Sequence, residues 1–340
     1  MPTDDTKEKL KIFITSCDYG PDAWTTHERK LRRLYELSDK RHLLTDSPDS
    51  ADIILVGNVR EEDWGRRILA NVLIDKYPGK CFSLSDQDRP IVLSHGISTS
   101  GTRSIFNFGR IRTGSFTLYS DDYLNPFVQD HNPSAGDTKP KEYLLSFVGR
   151  NSHPVRTTIF NLSFDRKDIL INDSSDFDLW HQKAKPEKQK LYFEILIRSK
   201  FSICPRGNGT STLRLFESMQ LGVAPVIVSD QWLLPRGPNW DAFSIFIEER
   251  DVGELESIVR SYEDVYEEMG RQAQMAFNQF FSDSVYFNYV IDNCMDIASS
   301  QHIPESLFWR VRYLYINSLK VRRKLRVRSR LARTISSIRE

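Results

Sequence analysis

Between Phe201 and Val228 the chain reads FSICPRGNGTSTLRLFESMQLGVAPVIV. Two short apolar runs, Phe201–Cys204 and Val223–Val228, suit buried strands, with a helix opening at Thr210–Ser211 between them. The first run ends in Pro205-Arg206-Gly207-Asn208-Gly209, a loop with two glycines and a cation. A glycine-rich loop that runs into a helix N-terminus presents free N–H groups to an anion such as phosphate. Arg206 and Arg214 add charge-assisted donors. Glu217, one turn below Arg214, is placed either to accept from a ligand hydroxyl or to pair with that arginine. Ser229 and Asp230 follow the second strand and face the same edge.

The same alternation runs through the chain. Lys11–Cys17 and Ala51–Gly57 read as strands, with helices expected over about 26–37 and 63–75. Pro90–Ser94 reads as a third strand, and Phe116–Tyr119 as a further one within a Gly/Ser/Thr/Asn-rich stretch over 96–142. The turn-rich cluster Asn132–Asp137 marks a linker. Beyond it come strands at Tyr143–Val148, Asp168–Ile171 and Ala242–Ile247, with helices from Pro154, over 188–199 and from Asp251. The alternation suggests a parallel α/β sheet, doubly wound in the second half, with its ligand edge at the carboxyl ends of the strands. The expected units are 1–140, 141–282 and a helical C-terminal region over 283–340.

Cys204-Pro-Arg-Gly-Asn-Gly, Arg214, Glu217, Gly222, Pro225-Val-Ile, Ser229-Asp230, Trp232 and Pro235 together resemble the donor-binding segment of the exostosin family of glycosyltransferases. The resemblance is dense over about 143–280 and thin over 11–142. It implies a GT-B architecture of two Rossmann-like α/β domains facing a cleft, with an acceptor-side N-terminal domain and a C-terminal domain for a nucleotide-sugar. It also implies inverting transfer from a nucleoside diphosphate sugar, a UDP-sugar foremost, to a glycan or lipid-linked glycan in polysaccharide or glycoconjugate assembly. The donor-side residues are then Arg150, Arg156, Arg206, Gly207, Gly209, Ser211, Arg214, Glu217, Ser229 and Asp230. Trp232, Pro235 and Trp240 read as packing. The rival reading is a catalytically silent glycan- or nucleotide-binding protein on the same fold.

Sugar transfer also needs a base for the acceptor hydroxyl. The loop after the first strand offers Asp18, Asp22 and His27, with Asp18 first beyond the strand. His95, read as ending the PIVLS strand, is the other candidate. Both residue types also serve as ordinary loop or capping groups. Asp176-Phe-Asp178 and Asp86-Gln-Asp88 each spell DxD, the divalent-ion motif of GT-A transferases. Such spacings recur by chance, and arginines with a helix N-terminus can do the ion's work. No metal ligand and no cofactor are expected.

Charge is unevenly placed. The net value is +1, yet residues 320–340 hold nine Lys/Arg and one acidic residue, leaving 38 basic against 45 acidic residues before them. The acidic body argues against nucleic-acid binding. The tail reads as a helix closing back on the first domain, as an interfacial helix for anionic lipid, or as a solvated helix. Four scattered cysteines, Cys17, Cys81, Cys204 and Cys294, form no CxxC pair and suit buried thiols. Lumenal exostosin-type enzymes carry an N-terminal anchor, whereas this chain opens on the polar MPTDDTKEKLK. A cytoplasmic, bacterial-type enzyme, peripheral at the inner membrane face if the tail binds lipid, is the expectation.

Overall fold

The computed structural model describes residues 9–17, 26–59, 66–90, 93–103, 108–119, 121–131, 140–175, 186–314 and 316–317. The first sheet uses β1 (Lys11–Ser16), β2 (Leu43–Leu44), β3 (Ile53–Gly57), β4 (Cys81–Ser85), β5 (Gly96–Ser98) and β6 (Ile111–Thr113). Its order is β2-β1-β3-β4-β5-β6, and every pairing is parallel. Three helices lie between its strands: α1 (Thr26–Leu37), α2 (Arg66–Ala70) and α3 (Val72–Lys76). A short α4 (Pro126–Gln129) precedes the second domain.

The second sheet uses β7 (Tyr143–Gly149), β8 (Ile169–Asp173), β9 (Ser199–Pro205), β10 (Ala224–Val228) and β11 (Ile245–Phe246). Its order is β11-β10-β9-β7-β8, again all parallel. Its helices are α5 (Pro154–Phe160), α6 (Pro186–Ile197), α7 (Leu213–Gln220) and α8 (Leu255–Arg260), followed by α9 (Tyr266–Phe280) and α10 (Asp283–Ser300). Two doubly wound α/β domains with a helical C-terminus are thus the architecture. In each sheet the strand order reverses beside one strand pair, β1/β3 in the first and β7/β9 in the second. Loops diverge at such a switch point and leave a crevice at the carboxyl edge.

Some expectations shift. The segment after Pro90 is not a strand at 93–95; the strand begins at Gly96, between β4 and β6. Cys81–Ser85, whose serines hide it, is a strand instead, fully buried because both neighbours and both faces are covered. Phe116–Leu118 is a single 3₁₀ turn, with the strand just before it at Ile111–Thr113. The helix expected over 63–75 breaks at Asn71, whose side chain accepts from the N–H groups of Leu73 and Ile74 and starts α3 afresh.

One apolar cluster runs through both domains. It holds Ile12, Leu55 and Phe82 of the first sheet, Leu215, Phe216 and Met219 of α7, and Tyr286, Val290 and Ile297 of α10. The helix that crosses back onto the first domain is α10. Its Tyr289 hydroxyl donates to the Thr113 carbonyl at 3.2 Å, and its Asp292 pairs with Arg41 at 3.0 Å. A final helical stretch, 305–314, turns Phe308 and Trp309 inward and leaves Leu307, Val311 and Leu314 exposed. The basic tail expected over 320–340 lies outside the described residues. Among the described residues, no helix is long and apolar enough to cross a membrane. All four cysteines are buried thiols.

Candidate functional site

The donor loop leaves β9 at Pro205, beside the β7/β9 switch point. Arg156, from α5, holds it in shape. Its Nε donates to the Arg206 carbonyl at 2.9 Å, its Nη2 to the Pro205 carbonyl at 2.9 Å and its Nη1 to the Arg150 carbonyl at 3.0 Å. Burial and then the nearby Arg214 both work against its charge. The Arg150 side chain is exposed. Arg156 therefore stands as a brace for the loop.

Arg214 projects from the first turn of α7 and is buried. One Nη2 N–H donates to the Val148 carbonyl at the end of β7, and the guanidinium lies 4.6 Å from the Phe147 ring centre. Its Nε and Nη1, the Nε of Arg206 and the hydroxyl of Ser211 are buried with no hydrogen-bond partner among the described residues. Buried donors are nearly always paired, and leaving one unpaired costs about 1–3 kcal/mol. Four such atoms, three of them on two guanidinium groups, lie between the end of β9 and the first turn of α7 and suit an anion. Among the described residues, Arg206 Nη1 lies 3.8 Å from a carboxylate oxygen of Glu249. Glu249 in turn is linked to Asp230, whose carboxylate accepts from the Glu249 N–H at 3.0 Å. Asp230 thus braces a loop at this edge.

Glu217 lies one turn further along α7 and is also buried. It makes no ion pair with Arg214 among the described contacts; the Tyr192 hydroxyl donates to it at 2.6 Å. Burial pushes its carboxyl above the usual range, against the pull of Tyr192 and Arg214. Ser229 donates to the Thr210 carbonyl at 2.7 Å, and Thr210 donates to the Gly101 carbonyl at 3.2 Å. The second of these bonds ties the donor loop to the first domain. Gly207 lies against Ser152 and Arg156, and Gly209 lies where a Cβ would fall 2.6 Å from the Ser100 hydroxyl and 3.0 Å from Asp88 Oδ1. Only a residue without a side chain lets the two domains come this close. Trp232 and Trp240 pack edge to face in the core with ring centres 5.6 Å apart, and Trp240 donates to the Pro235 carbonyl.

The first domain faces this loop with the ends of β3 and β4 and the start of α1. His27 is 2 % exposed, and its Nε2 lies 3.2 Å from Asp86 Oδ2, just past β4. Asp88 accepts from the Asn208 side chain and the Gly209 N–H; burial raises its carboxyl despite those bonds. Asp18 and Asp22 lie outside the described residues, as do Asp176 and Asp178. His95 lies elsewhere. It precedes β5, toward the amino edge of the sheet, with no exposed surface. It stacks on Phe82 at 4.0 Å and shares its Nδ1 with Gln301 at 3.0 Å. The 90–94 reading placed it at the wrong end of a strand, and the structure makes it a core histidine on the far side from the crevice.

Sequence reasoning did not single out Tyr192 or Glu249, which carry no local motif. It met Asp86 and Asp88 only as a chance DxD. Recognising β4 would have put both at a strand's carboxyl end. No group of three or more potential metal ligands occurs among the described residues.

Comparison with known proteins bears on this geometry. The chain is 30% identical over 255 residues to the Exostosin-1 homolog of Caenorhabditis elegans, covering 64% of this chain and 67% of that protein. It is 27% identical over 141 residues to a probable glycosyltransferase of Arabidopsis thaliana and 27% over 171 residues to Exostosin-1 of Drosophila melanogaster. The matched regions are 40% and 45% of this chain but only 28% and 22% of those longer proteins. Among solved structures it is similar to an α1,3-fucosyltransferase with GDP-fucose, at TM-score 0.39 and 14% identity, over 89% of this chain and 95% of that one. The Exostosin GT47 domain model matches residues 7–262. The chain belongs to the exostosin GT47 family.

Proposed function

We propose that the protein transfers a sugar from a nucleoside diphosphate sugar, a UDP-sugar foremost, to a hydroxyl of a glycan or lipid-linked glycan. The single observation that supports this most is the set of buried donors on Arg206, Ser211 and Arg214 that find no partner among the described residues, close to the β7/β9 switch point. A diphosphate satisfies them, and the same groups gain strength as the departing diphosphate gains charge. Glu217 is set to accept from a ribose or sugar hydroxyl. In this reading the two guanidinium groups and the N–H groups before α7 act as the electrophile, so transfer is metal-independent, and direct displacement by the acceptor inverts the anomeric carbon. The exposed Leu307, Val311 and Leu314, leading into a basic tail, suit an enzyme that works at the cytoplasmic face of an anionic membrane.

The test is calorimetric binding of UDP and of uridine. Arg206→Ala and Arg214→Ala should each weaken UDP by about 1.5–3 kcal/mol and leave uridine unchanged. Equal UDP binding by both variants and wild type would move the diphosphate site elsewhere. Turnover of a UDP-hexose that persists in excess EDTA supports the metal-free reading, and loss restored by manganese defeats it.

A further inference from the structure

The crevice wall opposite the donor loop carries a second built constellation. His27 is fixed from three sides. Its backbone N–H donates to Asn58 Oδ1 at 3.2 Å, and the Asn58 N–H donates back to His27 Nδ1 at 3.0 Å. Asn58 holds this clamp from a left-handed backbone, φ 53°, a conformation that asparagine tolerates better than most residues. Gly57 completes it, because a Cβ there would fall 2.6 Å from the Cβ of His27. With Nδ1 accepting, the ring proton must sit on Nε2 and point at Asp86 Oδ2, 3.2 Å away. Both ring nitrogens are then occupied, so the histidine has no site for an incoming proton. The carboxylate does. Asp86 keeps part of its surface open, and its Oδ1 accepts from the Gln87 side chain at 3.0 Å. An ionised carboxylate has about four lone-pair sites, so room for a hydroxyl remains. Asp88, two residues on, is held by the donor loop through Asn208 and Gly209, which puts Asp86 beside the crevice rather than bound across it.

We infer that Asp86 is the general base for the acceptor, and that His27, locked by Asn58, is the residue that positions it. This rests on the donor site proposed above. Asp86 takes the proton of the acceptor hydroxyl; that oxygen bonds to the anomeric carbon; the carbon–oxygen bond to the diphosphate breaks, and its electron pair leaves with the nucleoside diphosphate toward Arg206 and Arg214. Among the described residues, the groups that face Asp86 are His27 from α1, Tyr119 beyond β6, and Gln87 on its own loop. Burial pushes the Asp86 carboxyl up, but the hydrogen bond from His27, and then that from Gln87, bring it below its ordinary value. It is therefore ionised at neutral pH. Removing His27 takes away the main opposing influence, so the carboxyl rises.

The experiment uses full-length protein, UDP as the binding probe, and a panel of UDP- and GDP-hexoses turned over with water or sodium azide as acceptor. Asp86→Asn should bind UDP within about twofold of wild type, which also shows that it folds, while turnover to water falls roughly 10²–10⁴-fold. Azide carries no proton to remove, so it should restore donor cleavage in Asp86→Ala. In His27→Ala the acid limb of kcat/KM should move to higher pH; His27→Gln, which keeps an N–H to donate, should move it less. Water turnover by Asp86→Asn within tenfold of wild type, or an acid limb unmoved in both His27 variants, overturns the assignment while leaving the donor site standing. Wild type that neither binds UDP nor cleaves any donor removes the donor reading, and this one with it.

Discussion

Glu217 shows what a ligand site does to a resting protein. Its carboxyl is raised chiefly by burial. A group whose folded pKa lies above its unfolded value contributes stability at low pH and loses it as the pH climbs through the folded pKa. For Glu217 the loss begins above the ordinary glutamate value of 4.5. Glu217→Gln keeps an acceptor for Tyr192 and escapes the charge. Its thermal midpoint should exceed that of wild type at pH 7, and the difference should close below about pH 4.5. Donor affinity should move the opposite way, falling about tenfold or more for loss of a charged hydrogen bond. Thermal melts across pH, with and without UDP, check both directions. The carboxylate was legible in the sequence through its spacing from Arg214 along one helix. Its partner was not, since Tyr192 reaches it from α6, 25 residues away in the chain.

At the scale of elements, the donor loop is shaped by bonds that no local pattern reveals. Thr210 and Ser211 read as the opening of a helix, yet α7 starts at Leu213. Thr210 spends its carbonyl on Ser229 and its hydroxyl on Gly101, which keeps it out of the helix. The strand–helix alternation was readable wherever apolar residues ran together, as in Ile53–Gly57 or Ala224–Val228. It failed at Cys81–Ser85, where buried serines break the apolar run, and that failure carried His95 to the wrong edge and hid Asp86. Gly209 is the point where loop and first domain touch. Gly209→Ala should push Ser100 and Asp88 off the loop and weaken UDP by about 1–3 kcal/mol, the usual range for overpacking. Gly253→Ala, with nothing within 4 Å of the added carbon, is the control and should bind as wild type does. Equal affinity in the two variants would show that the contact is slack.

Across the whole molecule, C-terminal residues complete the N-terminal domain. Arg110, without exposed surface, is gripped by Glu305 through Nε at 2.7 Å and Nη2 at 2.6 Å, and Glu305 also accepts from the His95 N–H. Deleting one partner of a buried pair strands the other charge. Glu305→Ala should lower stability by about 3–5 kcal/mol in urea titration, and Arg110→Leu combined with Glu305→Leu by less. A loss within error for Glu305→Ala would mean that water reaches Arg110. The apolar cluster shared by α7, α10 and the first sheet has a practical corollary. The family match stops at residue 262, but α10 begins at Asp283 and covers Leu31 and Leu34 of α1 along with its own Tyr286 and Val290. A chain ended where the match ends would be born with its greasiest seam open to water, prone to clump on the ribosome's far side. The stretch that sequence comparison recognises is shorter than the stretch that must be synthesised together for either half to stay in solution.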